Sequence, residues 1–262
     1  MTIKEKRLII ANFKMYLSDK AQVDQWLRNF EKASRDLKPE DTKLVLCPPS
    51  MSLSRFAEYL REGYLNVGAQ DCFWEEEGAF TGALGAKMIS SYGGKFVILG
   101  HSERRRYFAE TDEQVALKVK IALKNRLHPV VCVGENATQK RQEETKEVLL
   151  NKLDQCLKYV GKGSVEELVL CYEPIWAISA NNPDHLPSAN ELMEAKVLMK
   201  KFLVNKYGAS NAERVKIIYG GSIDSGNYEE ICTESGMEGA LVGSAGKMPY
   251  ELVKIIKIAD KN

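Results

Sequence analysis

Short runs of apolar residues recur along the whole chain and define its predicted secondary structure. Each run is rich in Val, Ile and Leu and does not alternate between apolar and polar positions. Continuous runs of this kind are typical of strands that are buried on both faces, as in a parallel sheet. The sequence predicts eight such strands: Arg7–Asn12, Lys43–Pro48, Leu65–Gln70, Lys95–Gly100, Pro129–Gly134, Glu167–Tyr172, Val215–Gly220 and Gly239–Ser244.

Helical patterns fill the gaps between these strands. Behind Ser18 and Asp19, the apolar residues Val23, Trp26, Leu27 and Phe30 repeat at the spacing of one helix face. Two capping boxes, each followed by an apolar stripe, predict further helix starts. They are Thr111 with Gln114, ahead of Val115, Val119, Ala122 and Leu123, and Ser188 with Glu191, ahead of Leu192, Ala195, Met199 and Phe202.

Strands and helices therefore alternate along the chain, which predicts parallel strands joined by crossover helices. Eight units can form either a closed (β/α)₈ barrel or an open doubly wound sheet. No G-x-G-x-x-G follows the first strand, so a dinucleotide-binding sheet lacks its usual signature. No linker-like segment divides the chain. We expect a single barrel domain over residues 1–262.

Composition and charge narrow the classes of function. The chain has 262 residues, 44% hydrophobic and 28% charged, with a formal net charge of +1. This balance argues against a nucleic-acid binder that relies on bulk charge. No apolar run approaches the ~20 residues that span a bilayer, and the first residues do not look like a signal peptide. The six cysteines form no C-x-x-C pair, so we expect buried, reduced thiols in a cytoplasmic protein.

Polar residues that follow the predicted strands are the candidates for chemistry, because a barrel carries its site at the carboxyl ends of its strands. Glu173 follows the sixth strand among apolar neighbours, where loss of hydration suits a general base. His101 follows the fourth strand at a predicted helix start, where a neutral imidazole is favoured. Lys14 follows the first strand and could stabilise an oxyanion. Each alone is also compatible with a structural or solvated role.

Two short glycine-containing turns follow the last two strands, Gly220-Gly221-Ser222 and Gly243-Ser244. Barrels commonly bind phosphate on backbone N–H groups at this place, where glycine allows close approach. The remaining histidines fit a site less well. His128 precedes a strand, at the end of the barrel that serves stability, and His185 lies in a polar loop.

At these residues the sequence resembles the triosephosphate isomerase family. The matching motifs run in the family's order along nearly the whole chain. They are Asn12-Phe13-Lys14-Met15, Gly68-Ala69-Gln70, Gly78 to Gly82, Gly100-His101-Ser102-Glu103-Arg104-Arg105, Cys132-Val133-Gly134-Glu135, Tyr172 to Ile178, Tyr219 to Ser222, and Gly239 to Gly243.

The resemblance implies a TIM barrel without cofactor or metal that interconverts dihydroxyacetone phosphate and glyceraldehyde 3-phosphate through an enediolate. It implies that Glu173 is the base that moves the proton between two carbons and that neutral His101 polarises the carbonyl. Lys14 would stabilise the negative charge and Asn12 would help to hold the site. Glu103 would be a carboxylate close to Lys14.

The resemblance also implies how the phosphate is bound and how two chains associate. Backbone groups at Ser179, Ser222, Gly243 and Ser244 would bind the substrate phosphate. A homodimer would form, in which Thr81 reaches the partner's site. A lid over the site would hinge at Pro174-Ile175-Trp176 and exclude water from the reactive intermediate.

The chain departs from the family pattern at several positions. After Ile178 the usual Gly-Thr-Gly-Lys is replaced by Ser-Ala-Asn-Asn, so two glycines of the lid's second hinge are missing. Phe13 replaces Trp, Tyr16 replaces Asn near the expected dimer interface, and Ser244 replaces Gly. Ala109 also replaces Gly, which we interpret as local packing.

Two other functions stay open on the sequence. The altered lid over residues 179–186 is compatible with an isomerase that acts on a related sugar phosphate, such as a four-carbon ketose phosphate. A barrel that has lost catalysis and serves as a scaffold is the other alternative. Retention of Asn12, Lys14, His101 and Glu173 together argues against a scaffold, which needs none of them.

Overall fold

Eight parallel strands close into a barrel in the computed structural model, which describes residues 7–60, 64–178, 181 and 183–261. Each strand pairs with the next along the chain, and β1 pairs with β8 to complete the ring. The predicted (β/α)₈ barrel is therefore confirmed, and the open sheet is excluded. The strands are β1 Arg7–Asn12, β2 Thr42–Cys47, β3 Leu65–Ala69, β4 Gly94–Leu99, β5 His128–Val133, β6 Val169–Tyr172, β7 Lys216–Tyr219 and β8 Gly239–Val242.

All eight predicted strands are present, with ends that differ by one or two residues. Two ends differ by two residues. Val165–Glu167 forms a turn of 3₁₀-helix, so β6 begins only at Val169, and β8 ends at Val242. The apolar runs were informative because every residue of β6, β7 and β8 is buried.

Helices surround the barrel on its outer side. The described residues contain α1 Lys20–Ser34, α2 Leu53–Tyr59, α3 Ala86–Ser91, α4 Ser102–Phe108, α5 Asp112–Lys124, α6 Ala137–Arg141, α7 Thr145–Cys156, α8 Ala189–Tyr207, α9 Ala209–Arg214 and α10 Pro249–Lys261. Among these, no helix has the length and apolar character needed to cross a membrane.

The predicted helix starts are confirmed. The Asp19 side chain caps α1, and the Thr111 and Ser188 capping boxes start α5 and α8. Each cap satisfies backbone N–H groups that the first helical turn leaves without partners. The apolar stripe predicted for α8 differs from the structure at one residue. Leu203 is fully buried, whereas the predicted Phe202 is only partly buried.

The apolar core has two layers, separated by the sheet. One layer fills the barrel and the other packs the strands against the helices. Alternate residues of each strand point to opposite faces, so one strand serves both layers. The interior layer contains Leu8, Ile10, Val45, Cys47, Phe96, Ile98, Val130, Cys132, Val169, Cys171, Ile218 and Leu241.

All six cysteines carry free thiols and are buried, as the sequence predicted. Burial raises the pKa of these thiols, and that of Cys156 reaches about 12. The thiolate is the reactive form of cysteine, so these side chains act as small apolar core residues.

Ala109 corrects one interpretation of the sequence. It follows α4 with φ 52° and ψ 34°, which is the left-handed conformation of a helix C-cap. Glycine is usual at such a position because a Cβ is strained there. The departure from the family's glycine is therefore a matter of backbone conformation and not of packing.

We expect Ala109→Gly to raise the free energy of unfolding by about 0.5–1 kcal/mol, because the relief of left-handed strain exceeds the added entropy of the unfolded chain. Urea unfolding followed by circular dichroism measures this change. Ala33→Gly within α1 is the control and lowers stability by about 0.5–1 kcal/mol. A loss of stability in Ala109→Gly would contradict the assignment of strain.

Candidate active site

The carboxyl ends of the strands bring the predicted catalytic side chains together at one mouth of the barrel. Asn12 is the last residue of β1, His101 lies two residues beyond β4, and Glu173 directly follows β6. Asn12, His101 and Glu173 are buried, and Lys14 is mostly buried. Residues that are distant in the sequence thus form one polar cluster.

Glu173 and His101 are in direct contact. Glu173 Oε1 lies 3.0 Å from His101 Nε2, and the Glu173 side chain is only 2% exposed. Ser102 also binds this carboxylate, with its backbone N–H on Oε2 at 2.9 Å and its hydroxyl on Oε1 at 3.0 Å. A buried carboxylate needs such donors, because its desolvation is otherwise costly.

Hydrogen bonding assigns the tautomer of His101. The ring caps α4, and its Nδ1 accepts the backbone N–H of Glu103 at 3.2 Å. A nitrogen that accepts carries no proton, so the proton of the neutral ring is on Nε2. Nε2 faces the mouth, where it can donate to a substrate oxygen.

Lys14 is held in an uncommon backbone conformation. Its φ is 52°, and its backbone N–H donates to the Asn12 side chain at 3.0 Å. The Gln70 amide donates to the Lys14 carbonyl at 2.9 Å and to the Cys47 carbonyl at 2.9 Å. Strain of this kind, about 1–3 kcal/mol, persists only where the surroundings fix it.

The ammonium group of Lys14 lies 2.6 Å from Glu103 Oε1, so the predicted proximity of these two residues is found. Glu103 also places a carboxylate oxygen 3.9 Å from His101 Nδ1. The cation at the mouth is thus partly balanced by an adjacent carboxylate.

The carboxyl end of β5 forms a support for Glu173 and for the segment that follows it. The Glu173 N–H donates to the Val133 carbonyl at 2.8 Å, and the Ile175 N–H donates to the Glu135 carbonyl at 2.9 Å. The buried Glu135 carboxylate accepts the Tyr172 hydroxyl at 3.0 Å and the Trp176 Nε1–H at 2.9 Å.

The residues expected to bind phosphate differ in their contacts and in their exposure. Gly243 lies close to Lys14, whose Cε is 3.5 Å from the position of a Cβ built on that glycine. Ser222 donates its N–H and its hydroxyl to the Ala177 carbonyl, at 3.1 and 3.0 Å. Ser244 is exposed on the next turn, with φ −59°, so it is unstrained without glycine. Ser179 lies outside the described residues.

The other candidates lie away from this cluster. Thr81 is exposed on the loop between β3 and α3. His128 Nδ1 lies 3.1 Å from the backbone and the carboxylate oxygen of Glu167, and burial lowers the pKa of His128. The His185 ring packs on Trp176 at 5.2 Å between ring centroids. In the described part of the chain, no three His, Cys, Asp or Glu side chains are grouped so that they could hold a metal ion.

Sequence reasoning quoted Gln70, Ser102 and Glu135 within motifs but assigned them no role. In the structure they orient Lys14, Glu173 and the lid hinge, respectively. Their signal in the sequence was position alone, since each lies at or just beyond the end of a predicted strand.

A carboxylate, an imidazole and an ammonium group at the carboxyl end of a closed barrel define a (β/α)₈-barrel enzyme equipped for acid–base chemistry. The family model for triosephosphate isomerase matches residues 7–259. The triosephosphate isomerase of Thermoanaerobacter pseudethanolicus is 37% identical over 249 residues, which cover 95% of this chain and 98% of the relative.

Two further relatives carry the same name. The triosephosphate isomerase of Dictyoglomus thermophilum is 34% identical and covers 96% of this chain and 99% of its own length. That of Gloeothece citriformis is 37% identical and covers 96% and 98%, respectively. The chain belongs to the triosephosphate isomerase family, and it is an aldose–ketose isomerase.

The contact between β5 and Glu173 leads to a test at Gly134. A Cβ at this glycine would lie 2.0 Å from the Glu173 carbonyl oxygen, so the backbone that carries Glu173 would have to move. We expect Gly134→Ala to lower the free energy of unfolding by about 2 kcal/mol and to reduce kcat. Urea unfolding and an isomerase assay measure both effects.

Gly161→Ala is the matched control, since a Cβ there meets nothing within 4 Å. It should leave stability and kcat near those of the wild type. Wild-type stability and kcat in Gly134→Ala would show that the close approach is not a constraint on the site.

Proposed function

We propose that this protein interconverts dihydroxyacetone phosphate and D-glyceraldehyde 3-phosphate, as its family membership and site geometry support. The observation that carries the proposal is the joint placement of Glu173, His101 and Lys14 at one mouth. Removal of a proton next to a carbonyl needs a base beside the carbon and an electrophile facing the oxygen. The three side chains supply these groups.

In the proposed reaction, the Glu173 carboxylate takes a proton from the carbon next to the carbonyl. The electrons of the broken C–H bond form the carbon–carbon double bond of an enediolate, and the carbonyl oxygen takes up the negative charge. His101 donates a hydrogen bond from Nε2 to the substrate oxygens. Lys14 stabilises the charge, and Asn12 holds the Lys14 backbone. The proton of the substrate hydroxyl passes to the former carbonyl oxygen, Glu173 returns the carbon-bound proton to the neighbouring carbon, and the oxygen that lost its proton becomes the new carbonyl.

This mechanism requires the Glu173 carboxylate to exchange its present partners for substrate. Its bonds to Ser102 and its contact with His101 engage both carboxylate oxygens. A substrate oxygen that binds His101 Nε2 displaces this contact. Once its bonds to Ser102 are exchanged as well, the carboxylate can approach the carbon-bound proton.

We further propose that the phosphate binds to backbone groups at Ser179, Ser222, Gly243 and Ser244. The proximity of Gly243 to Lys14 supports a phosphate next to the cationic part of the site. The Ser222 bonds to Ala177 connect this turn to the start of the lid. Phosphate binding and lid position would then be coupled, so that water is excluded from the enediolate.

The altered lid supports a second candidate substrate. Asn181 Nδ2 donates to the Ile175 carbonyl at 2.7 Å, and the His185 ring packs on Trp176. The segment that differs from the family pattern therefore packs against the hinge. A different lid can alter which carbon chain fits above the site. Comparison of turnover on three-carbon and four-carbon sugar phosphates decides between them, and a strong preference for the triose excludes the second candidate.

An assay with Glu173→Gln tests the proposed reaction. We expect fast turnover of glyceraldehyde 3-phosphate by the wild type and a loss of several orders of magnitude in the variant, because the amide cannot accept the proton. A coupled assay that consumes dihydroxyacetone phosphate measures the rates. Glu194→Gln, an exposed change on α8, is the control. Equal rates in wild type and Glu173→Gln would refute the role of the base.

We also propose that residues 1–262 form one domain and that the protein is cytoplasmic, a location that its six free thiols support.

We further propose that two chains associate as a homodimer. Met15 and Met51 are each 94% exposed and line a cavity of roughly 750 Å³ with Tyr16. Exposed apolar side chains around a cavity are typical of an interface. Phe80 and Thr81 are exposed on the loop between β3 and α3. We propose that this loop enters the corresponding cavity of the partner.

The dimer leads to a measurement of mass in solution. At micromolar concentration we expect sedimentation at about twice the chain mass of 29.4 kDa. Met15→Glu should shift the protein to the monomer, because a carboxylate would be buried in the interface. Met193→Glu, on the outer face of α8, should remain dimeric. A wild type that sediments as a monomer would refute the proposal.

A further inference from the structure

Two cations from the surrounding helices bind the backbone directly behind the catalytic pair. Arg105 of α4 donates from Nε to the Gly100 carbonyl at 2.7 Å, next to His101. Lys152 of α7 donates from Nζ to the Gly134 carbonyl at 2.8 Å, next to the support for Glu173. Lys152 belongs to none of the motifs that the sequence analysis singled out.

The three carbonyls at the end of β5 have different partners. Those of Val133 and Glu135 accept the N–H groups of Glu173 and Ile175, whereas that of Gly134 accepts Lys152. The Gly134 peptide thus connects the two points at which the catalytic strand and the lid hinge are attached. A change in its orientation would move both attachments.

The environment of Lys152 shows that its ammonium group is held there. A lysine that merely covers apolar surface extends its ammonium group to water. Here burial and the neighbouring Arg105 lower the pKa of Lys152, and the negative charges of Asp112 and Glu173 act in the opposite direction. A desolvated cation at this place needs its carbonyl partner.

We propose that Lys152 is a positioning residue for the isomerisation. Its hydrogen bond fixes the Gly134 peptide, which in turn fixes the backbone of Glu173 and of the lid hinge. The proposal rests on the proposed function in one respect, namely that Glu173 acts as the base. Displacement of a reacting group by about 1 Å can cost up to ~100-fold in rate, so a remote hydrogen bond can matter.

Two variants separate the hydrogen bond from the space that Lys152 fills. Lys152→Met removes the donor and keeps the apolar stem, so we expect kcat to fall about tenfold while KM changes less than about twofold. Lys152→Gln retains a donor and should restore at least half of the wild-type kcat. Lys146→Met, an exposed change on the same helix, is the control and should match the wild type.

Amide hydrogen exchange tests the same assignment without an assay. In Lys152→Met, we expect faster exchange at the N–H groups of Glu173 and Ile175. Lys152→Gln should partly restore the slow exchange, and Lys146→Met should exchange like the wild type. Unchanged exchange and kcat in Lys152→Met would overturn the proposal, as would equal losses in the Met and Gln variants. A wild type without isomerase activity would refute the proposed function, and the exchange measurement would still decide the role of Lys152.

Discussion

The hydrogen bonds between β5 and β6 set the position of Glu173, the proposed base. Cys132 pairs with Cys171 and Val133 with Tyr172, and the next N–H, that of Glu173, binds the Val133 carbonyl at 2.8 Å. This register determines the point at which the chain leaves the barrel and the direction of the side chain. A shift by one residue would turn the carboxylate to the other face of the sheet. The acid–base site therefore depends on backbone pairing that is buried and well packed.

The charged side chains named at the mouth are tolerated because each has a partner. Glu173 has three contacts from Ser102 and His101, Lys14 has Glu103, and Glu135 has Tyr172 and Trp176. Without these partners, desolvation of charged groups would oppose folding. The same contacts orient the side chains before substrate binds. Stability and preorganisation of the site thus come from one set of hydrogen bonds, and the strained backbone at Lys14 is fixed by that set.

The fold and the polar cluster at the barrel mouth were predictable from the sequence because their signals are local. Buried strands read as apolar runs, capping residues mark helix starts, and the strand ends identify Glu173, His101 and Lys14 as candidates. Contacts between residues that are far apart in the sequence could not be predicted from it. The contact of Ser102 with Glu173 and the bond from Lys152 to Gly134 have no periodic pattern. Each arises only when distant segments meet.

The segment after Ile178 lacks the glycines of the family pattern, and its described residues contact the turn at Ile175–Trp176 instead. Glycine gives freedom to a backbone that must change conformation, and its removal is costly only where φ must be positive. Asn181 instead binds the Ile175 carbonyl, its side-chain oxygen accepts from Arg106 at 3.4 Å, and His185 packs on Trp176. These contacts connect the segment to the hinge that Glu135 orients through Trp176. Among the described residues, the segment is therefore attached to the Ile175–Trp176 turn through Asn181 and His185, and this turn directly follows Glu173 and Pro174.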